Sequence, residues 1–181
     1  MFALSEIEHT LRLPPHLLDR PLNDVIKGEL DSIFLDKVID KLGLCVSVYD
    51  IRSIDGGFIF PSDGASTYTV KFRLVMFRPF VDEVILARVK ESREDGIQLT
   101  LGFFDDIHIP VHLMCSETHF EHEPGHKALW IWKSDEEDFP MEEKNEIRFK
   151  VHSVSYPPVP KDHGQNLEQK DVKPFSPMVV T

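Results

Sequence analysis

The sequence predicts an α+β fold in two parts, and three observations carry that reading. One apolar stripe at helical spacing sits among strand patterns in residues 1–80, only strand patterns follow it, and 41% hydrophobic residues against 28% charged suffice for a packed core. A length of 181 residues allows one ordinary domain or two small ones.

Phe2 to Leu13 reads as the first strand, with Phe2, Leu4, Leu11 and Leu13 in a loose period of two. Pro14 and Pro15 end it, because proline cannot donate to a ladder. Pro21 to Leu42 reads as a helix: Leu22, Ile26, Leu30, Ile33, Phe34, Val38 and Leu42 recur at three- and four-residue steps. Asn23 or Asp24 can cap its start, and Gly43 stands where a left-handed residue is wanted. Leu44 to Ile51 is a strand, Asp55-Gly56-Gly57 a turn, Phe58-Ile59-Phe60 a short strand and Pro61-Ser62-Asp63-Gly64 a second turn. Tyr68 to Phe77 is a long strand and completes one helix on one antiparallel sheet.

Beyond Pro79 the strands are Val81 to Lys90 and the alternation of Ile97, Leu99, Leu101 and Phe103 with Gln98, Thr100, Gly102 and Phe104. Ile107 to Ile109 stops at Pro110, and Leu129 to Lys133 and Ile147 to Val154 add two more. Short strands joined by polar loops predict a small barrel or sandwich over 81–156. Five prolines among the last 25 residues make 157–181 a mostly irregular tail.

Charge narrows the function. Lys and Arg number 20 against 31 Asp and Glu, a net of −11, and residues 81–156 hold 8 basic and 17 acidic side chains. Bulk attraction to nucleic acid is absent, so any contact needs a local basic face. No apolar run reaches the roughly 18 residues of a membrane span. MFALSEIEHT carries Glu6 and Glu8 where a signal peptide is basic and then apolar. Cys45 and Cys115 suit a reducing compartment, and the expectation is a soluble intracellular protein.

Chemistry-bearing patterns are few. No phosphate loop, dinucleotide fingerprint or nucleophile elbow occurs. Asp105 and Asp106 are adjacent on a strand end and point to opposite faces, so they are poorly placed to share a proton or metal. Cys115, His119, His122 and His126 spell C-x3-H-x2-H-x3-H, four weak zinc candidates without a CxxC knuckle; a plain polar loop is the competing reading. The acidic run Asp135 to Asp138, with Glu142 and Glu143, lacks the spacing of a calcium loop. Trp130 and Trp132 share one strand face and either stack bases or pack a partner, or else fill the barrel or its covering tail. Arg88 with Lys90 and Arg148 with Lys150 form i, i+2 pairs, which make a basic stripe for single-stranded RNA if the two strands are neighbours.

The segments MFALSEIEHTLRLPP, PLNDVIKGEL, FIFPSDGAS, VKFRLVMFRPFVDEVILARVK and GIQLTLGFFDDIHIP resemble the larger stalk subunit of eukaryotic RNA polymerase III, a relative of the corresponding stalk component of archaeal RNA polymerase. The resemblance runs from Met1 to about Val154 and implies a small α+β (RNP-like) tip domain over 1–80, then an OB/S1-type β-barrel over 81–156. It implies that the tip docks on the polymerase core, with Phe60, Pro61, Asp63 and Gly64 in the docking loop, and that a face formed by both parts takes the smaller stalk subunit. The role implied is non-catalytic, without cofactor, in the nucleus. It lies in transcription initiation of small structured RNA genes such as those for tRNA and 5S rRNA, alongside core subunits and initiation factors. Arg88, Lys90, Arg148 and Lys150 are the residues for contact with nascent RNA. The family continues past Met178-Val179-Val180 with a strand that helps close the barrel, so an open edge and a marginal C-terminal part are expected here. Two other classes compete: a free-standing OB-fold RNA-binding protein, and, more remotely, a zinc-dependent hydrolase.

Overall fold

The computed structural model describes residues 1–62, 64–121, 128–133, 137–157 and 178–181. Its backbone separates between Arg78 and Pro79 into two units, and Met178–Thr181 belong with the second.

In the first unit β1 (Phe2–Leu13), β2 (Val38–Ile39), β3 (Gly43–Ile59) and β4 (Ser66–Phe77) form an antiparallel sheet in the order β1-β4-β3-β2, with α1 (Leu22–Phe34) between β1 and β2 in the chain. One helix covers one face: Val25, Ile26, Leu30 and Phe34 meet Leu11, Leu13, Val70, Phe72, Leu74 and Met76 in a buried cluster. The β1–β4 ladder is regular from Phe2↔Phe77 to Leu13↔Ser66, so odd residues of β1 and even residues of β4 share the covered face.

Strand β3 breaks that regularity. Register shifts fall after Cys45, Val48, Ile51 and Gly56, and each inserts an extra residue on the β3 side. Cys45, Val48, Ile51 and Ile54, spaced by three, therefore oppose Met76, Leu74, Phe72 and Val70, spaced by two. The predicted turn at Asp55-Gly56-Gly57 is corrected by the same device. Gly56, at φ 109°, sits in a bulge where a Cβ would stand 2.8 Å from the Thr67 carbonyl oxygen, and the strand runs on through it to Ile59.

The helix also ends sooner than its stripe. Leu35 leaves the helical region at ψ 136° and Asp36 takes φ 57°. Asp36 N–H then donates to the Cys45 carbonyl (3.0 Å) and Cys45 N–H to Lys37 (2.9 Å). Val38 and Leu42, four apart, suit the hairpin of β2 and β3 as well as a helix, and the hairpin supplies the backbone partners. No side chain caps the helix start. Pro21 occupies the cap, with Asp24 in the first turn, and Gly43 opens β3 instead of closing α1.

The second unit holds β5 (Val84–Arg93), β6 (Gly96–Thr100), β7 (Ile107–Pro110), β8 (Thr118–Glu121), β9 (Leu129–Lys133), β10 (Asp138–Pro140), β11 (Glu146–Lys150), β12 (Val154–Ser155) and β13 (Val179–Val180). Three of them form the sheet β10-β9-β8, and six form the mixed sheet β11-β5-β6-β7-β13-β12. Its core includes Ile85, Ala87, Val89, Ile97, Leu99, Ile107, Phe149, Val151, Met178 and Val180. Among the described residues no ladder joins β11 to β12, so the barrel is not closed by hydrogen bonds. Its two ends are linked instead by the short stretch Val151–Ser153 of the chain itself.

Three expectations change here. Asp82 has φ 71°, and Glu83 N–H closes a turn on Phe80 (3.1 Å), so β5 starts at Val84 and not Val81. The alternation stops at Thr100: Leu101 N–H turns back to the Phe104 carbonyl (2.9 Å), which buries Phe104 and leaves Phe103 exposed. The end of the predicted tail is structural, because Val180 pairs in parallel with Ile107 and antiparallel with Val154. Val179–Val180 thus sits between β7 and β12, and the sheet ends at β11 on one side and β12 on the other. The remainder of that tail, 158–177, lies outside the described residues.

Gly43 and Gly28 make a paired test. A Cβ on Gly43 (φ 104°) would stand 2.2 Å from the Phe77 carbonyl oxygen, whereas Gly28, exposed in α1, has nothing within 4 Å. Gly43→Ala should lower stability in urea melts by about 1–3 kcal/mol. Gly28→Ala should raise it by about 0.5–1 kcal/mol.

Candidate interaction surfaces

At one end of the first sheet the β3–β4 connection presents an apolar tip. Phe58, Ile59 and Phe60 are 72%, 61% and 58% exposed, followed by exposed Pro61 and by left-handed Ser62 (φ 71°) and Gly64 (φ 67°). Asp63 lies outside the described residues. Sequence reasoning named Phe60, Pro61 and Gly64 but passed over Phe58 and Ile59. The signal was three consecutive apolar residues between a glycine pair and Pro-Ser-Asp-Gly: without a core on both sides, such a run must expose part of itself.

Away from the helix, the middle of the same sheet is polar. Arg73 donates Nε to Asp50 Oδ1 (2.7 Å) and Nη2 to Oδ2 (2.5 Å), a two-pronged pair, and its guanidinium lies 4.9 Å from the Tyr49 ring centroid. Lys71 meets Glu8 at 3.4 Å. The Arg73 hydrogen bond holds the Asp50 carboxyl below the usual carboxylate range, and Asp50 in turn raises Arg73. The pairing was not foreseen, since it needs the shifted register that sets Asp50 opposite Arg73.

The four stripe cations do share neighbouring strands: β11 pairs with β5, and Arg88, Lys90, Arg148 and Lys150 are all exposed. Three of them carry carboxylates. Arg88 meets Glu146 (3.2 Å), Lys90 meets Asp105 (2.8 Å) and Lys150 meets Asp82 (2.6 Å). Lys90, then Thr100, lowers the Asp105 pKa, and Lys150 lowers that of Asp82. Arg148 has no carboxylate partner among the described residues. Asp105 also fixes the turn after β6, accepting from Thr100 Oγ1 while its carbonyl accepts from Gln98 Nε2 (3.1 Å), which is a structural role.

Of the zinc candidates, Cys115 is exposed and His119 Nε2 lies 3.0 Å from Glu121 Oε1; His122 and His126 fall outside the described residues. Within the acidic run, Asp135 and Glu136 fall outside them too, and Glu137, Asp138, Glu142 and Glu143 are exposed. The two tryptophans divide their roles. Trp130 is buried and donates Nε1–H to the Arg93 carbonyl (2.8 Å), tying β9 to the β5–β6 hairpin. Trp132 is 37% exposed and stacks on Phe139 with centroids 5.4 Å apart.

Two comparisons with known families cover most of the chain. Residues 8–64 match the SHS2 domain found in the N terminus of Rpb7p/Rpc25p/MJ0397, and residues 83–175 match the family described as RNA polymerase III subunit Rpc25. The DNA-directed RNA polymerase III subunit RPC8 of Bos taurus is 37% identical over 160 residues, 86% of this chain and 77% of that protein. The Saccharomyces cerevisiae RPC8 is 34% identical over 181 residues, 98% and 77%. The archaeal RNA polymerase subunit Rpo7 of Saccharolobus solfataricus is 29% identical over 107 residues, 59% of each chain.

Two outcomes follow. In a carboxyl NMR titration Asp50 should protonate below the ordinary aspartate range and return toward it in Arg73→Gln. Because its native pKa lies below the unfolded one, its contribution to stability is present above the unfolded value and is lost as pH falls through the native value. Burial pushes the Cys45 thiol up to about 11, so a thiol reagent at neutral pH should label Cys115 in the native chain and reach Cys45 only on unfolding.

Proposed function

The chain belongs to the RNA polymerase III subunit Rpc25 family, and from that premise we propose that it serves as the larger, non-catalytic stalk subunit of the enzyme, pairing with a smaller stalk subunit in the nucleus. The observation that carries this reading is the order of the two matches: an Rpb7/Rpc25-type N-terminal domain over 8–64 is followed in the same chain by the Rpc25 match over 83–175. As a member of the family the chain is a subunit of a DNA-directed RNA polymerase.

On this reading residues 1–80 are the tip, and Phe58, Ile59, Phe60, Pro61 and Gly64 dock on the polymerase core. Burial of this exposed apolar triplet gains roughly 25 cal/mol per Å² of apolar surface removed from water, which gives the tip a reason to be apolar where the adjoining sheet face is charged. The acidic second unit repels DNA phosphates and suits basic surfaces of initiation factors. Contact of Arg88, Lys90, Arg148 and Lys150 with nascent RNA is weak on this reading, since three of the four must first leave a carboxylate. The same pairing argues against a free-standing RNA-binding module.

The test is co-expression with the smaller stalk subunit and the polymerase III core. Wild type should recover both in stoichiometric amounts, whereas Phe58→Asp/Phe60→Asp should keep the small subunit and lose the core at least about tenfold. Recovery of neither by a folded chain would sink the stalk reading, and full core recovery by the double variant would sink the tip assignment. For single-stranded RNA, the slope of log affinity on log salt should lie near −0.7, about one phosphate contact through Arg148; a slope near about −2.8 would mean that all four cations engage.

A further inference from the structure

The apolar tip presents its residues on two faces, and a backbone irregularity decides which residue takes which face. Along β3, Asp55 opposes Thr69 and Gly56 opposes Tyr68; Gly57 is the extra residue, and pairing resumes at Phe58↔Thr67 and Ile59↔Ser66. Cross-strand neighbours share a face. On β4, Ser66 and Tyr68 stand on the side of Val70 and Phe72, which the helix covers, and Thr67 stands on the open side with Thr69 and Lys71. Phe58 therefore belongs to the open face and Ile59 to the helix face.

An unbroken ladder would reverse them. Continued in the register of Asp55 and Gly56, it would set Gly57 against Thr67 and Phe58 against Ser66, turning the phenyl ring to the helix side. Two glycines make the bulge accessible instead. Gly56 and Gly57 hold φ 109° and 86°, a region that other residues rarely adopt. The Tyr68 ring lies against the extra residue, since a Cβ on Gly57 would stand 3.2 Å from its Cε1. Phe58 and Ile59 are both exposed, so burial within the chain does not sort them. The sorting serves a surface outside the chain.

We propose that the Gly56–Gly57 bulge, with the Tyr68 ring against it, is the positioning element of the docking tip. It presents the Phe58 ring from the open face and Ile59 from the helix face, and the polymerase core accepts them only in that arrangement. This role rests on docking of the tip to the core and adds a requirement of orientation to it. A core surface that only buries apolar area would take either order alike, because the hydrophobic effect is non-directional. A surface packed to a ring on one side and an aliphatic chain on the other would not.

The test is co-expression of the full chain with the smaller stalk subunit and the polymerase III core. Phe58→Ile/Ile59→Phe keeps the length, the composition and the bulge while exchanging the two faces. It should retain the small subunit and lose the core at least about tenfold. Gly56→Val/Gly57→Val should remove the bulge, read as cross-strand NOEs of Phe58 that move from Thr67 to Ser66, with a similar loss of core. Adding the Phe58→Ile/Ile59→Phe exchange to the valine variant returns the ring to the open face and should restore core recovery, which a merely structural defect would not allow. Full core recovery by the exchanged wild-type chain would overturn the proposal and leave the tip assignment standing, since Phe58→Asp/Phe60→Asp tests that assignment by charge alone. Failed restoration in a folded, unbulged chain would overturn it as well. Should the valine variant not fold, the exchange in the wild-type chain decides.

Discussion

Strand β4 contributes Val70, Phe72, Leu74 and Met76 to the first unit's core, each at 0% exposure, and hydrogen-bonds to β1 on one edge and β3 on the other. Each such side chain stabilises the fold by roughly 1.5–3 kcal/mol relative to exposure, so this row fixes which residues of both neighbours face the helix. β1 meets it with an unbroken period of two. β3 meets it with 17 residues where β4 has 12, and it keeps its apolar residues against the row only by inserting bulges. The bulges in turn set Asp50 opposite Arg73 and carry the strand to its end at Ile59. The charged middle of the open face and the apolar tip are both consequences of fitting a long strand to a short one.

That account separates what was legible in the sequence from what was not. β1 appears with the predicted bounds, Phe2 to Leu13, because local alternation and the two prolines decided it. α1, β4 and β6 were legible for the same reason: their apolar period is intact within each element. The end of α1 was hidden because Val38 and Leu42 satisfy a helix and a hairpin equally, and the choice depends on Cys45, which bonds Asp36 and Lys37 across the hairpin. β3 was read in pieces because its period of three is neither helical nor that of a flat strand. Val179–Val180 carries too little pattern to be seen at all; its strand exists because Ile107 and Val154 lie on either side of it.

The candidate surfaces follow the same division. The i, i+2 spacing placed Arg88 with Lys90 and Arg148 with Lys150 on common faces, as the strands require. Spacing does not show what stands opposite, and the register brings Glu146 across from Arg88 while turns deliver Asp105 to Lys90 and Asp82 to Lys150. A stripe that is basic in sequence is therefore nearly neutral in space. In a chain of net charge −11 that outcome is unsurprising, since 31 acidic side chains stand against 20 basic ones.

Just beyond β11 the chain changes ladder at Val151. Val151 exchanges backbone bonds with the β5 side, donating to Glu83 (2.9 Å) and accepting from Asp82 (2.8 Å). The next two residues, His152 and Ser153, donate to Thr181 at 2.7 and 3.0 Å, on the β13 side. One continuous segment thus changes ladder within three residues. A chain that serves β5 before the bend and β13 after it cannot serve both along its whole length, so a wedge opens where the two ladders diverge. Burial of Val151 at 0% exposure pins the bend against the core, and the wedge is then as fixed as the core itself.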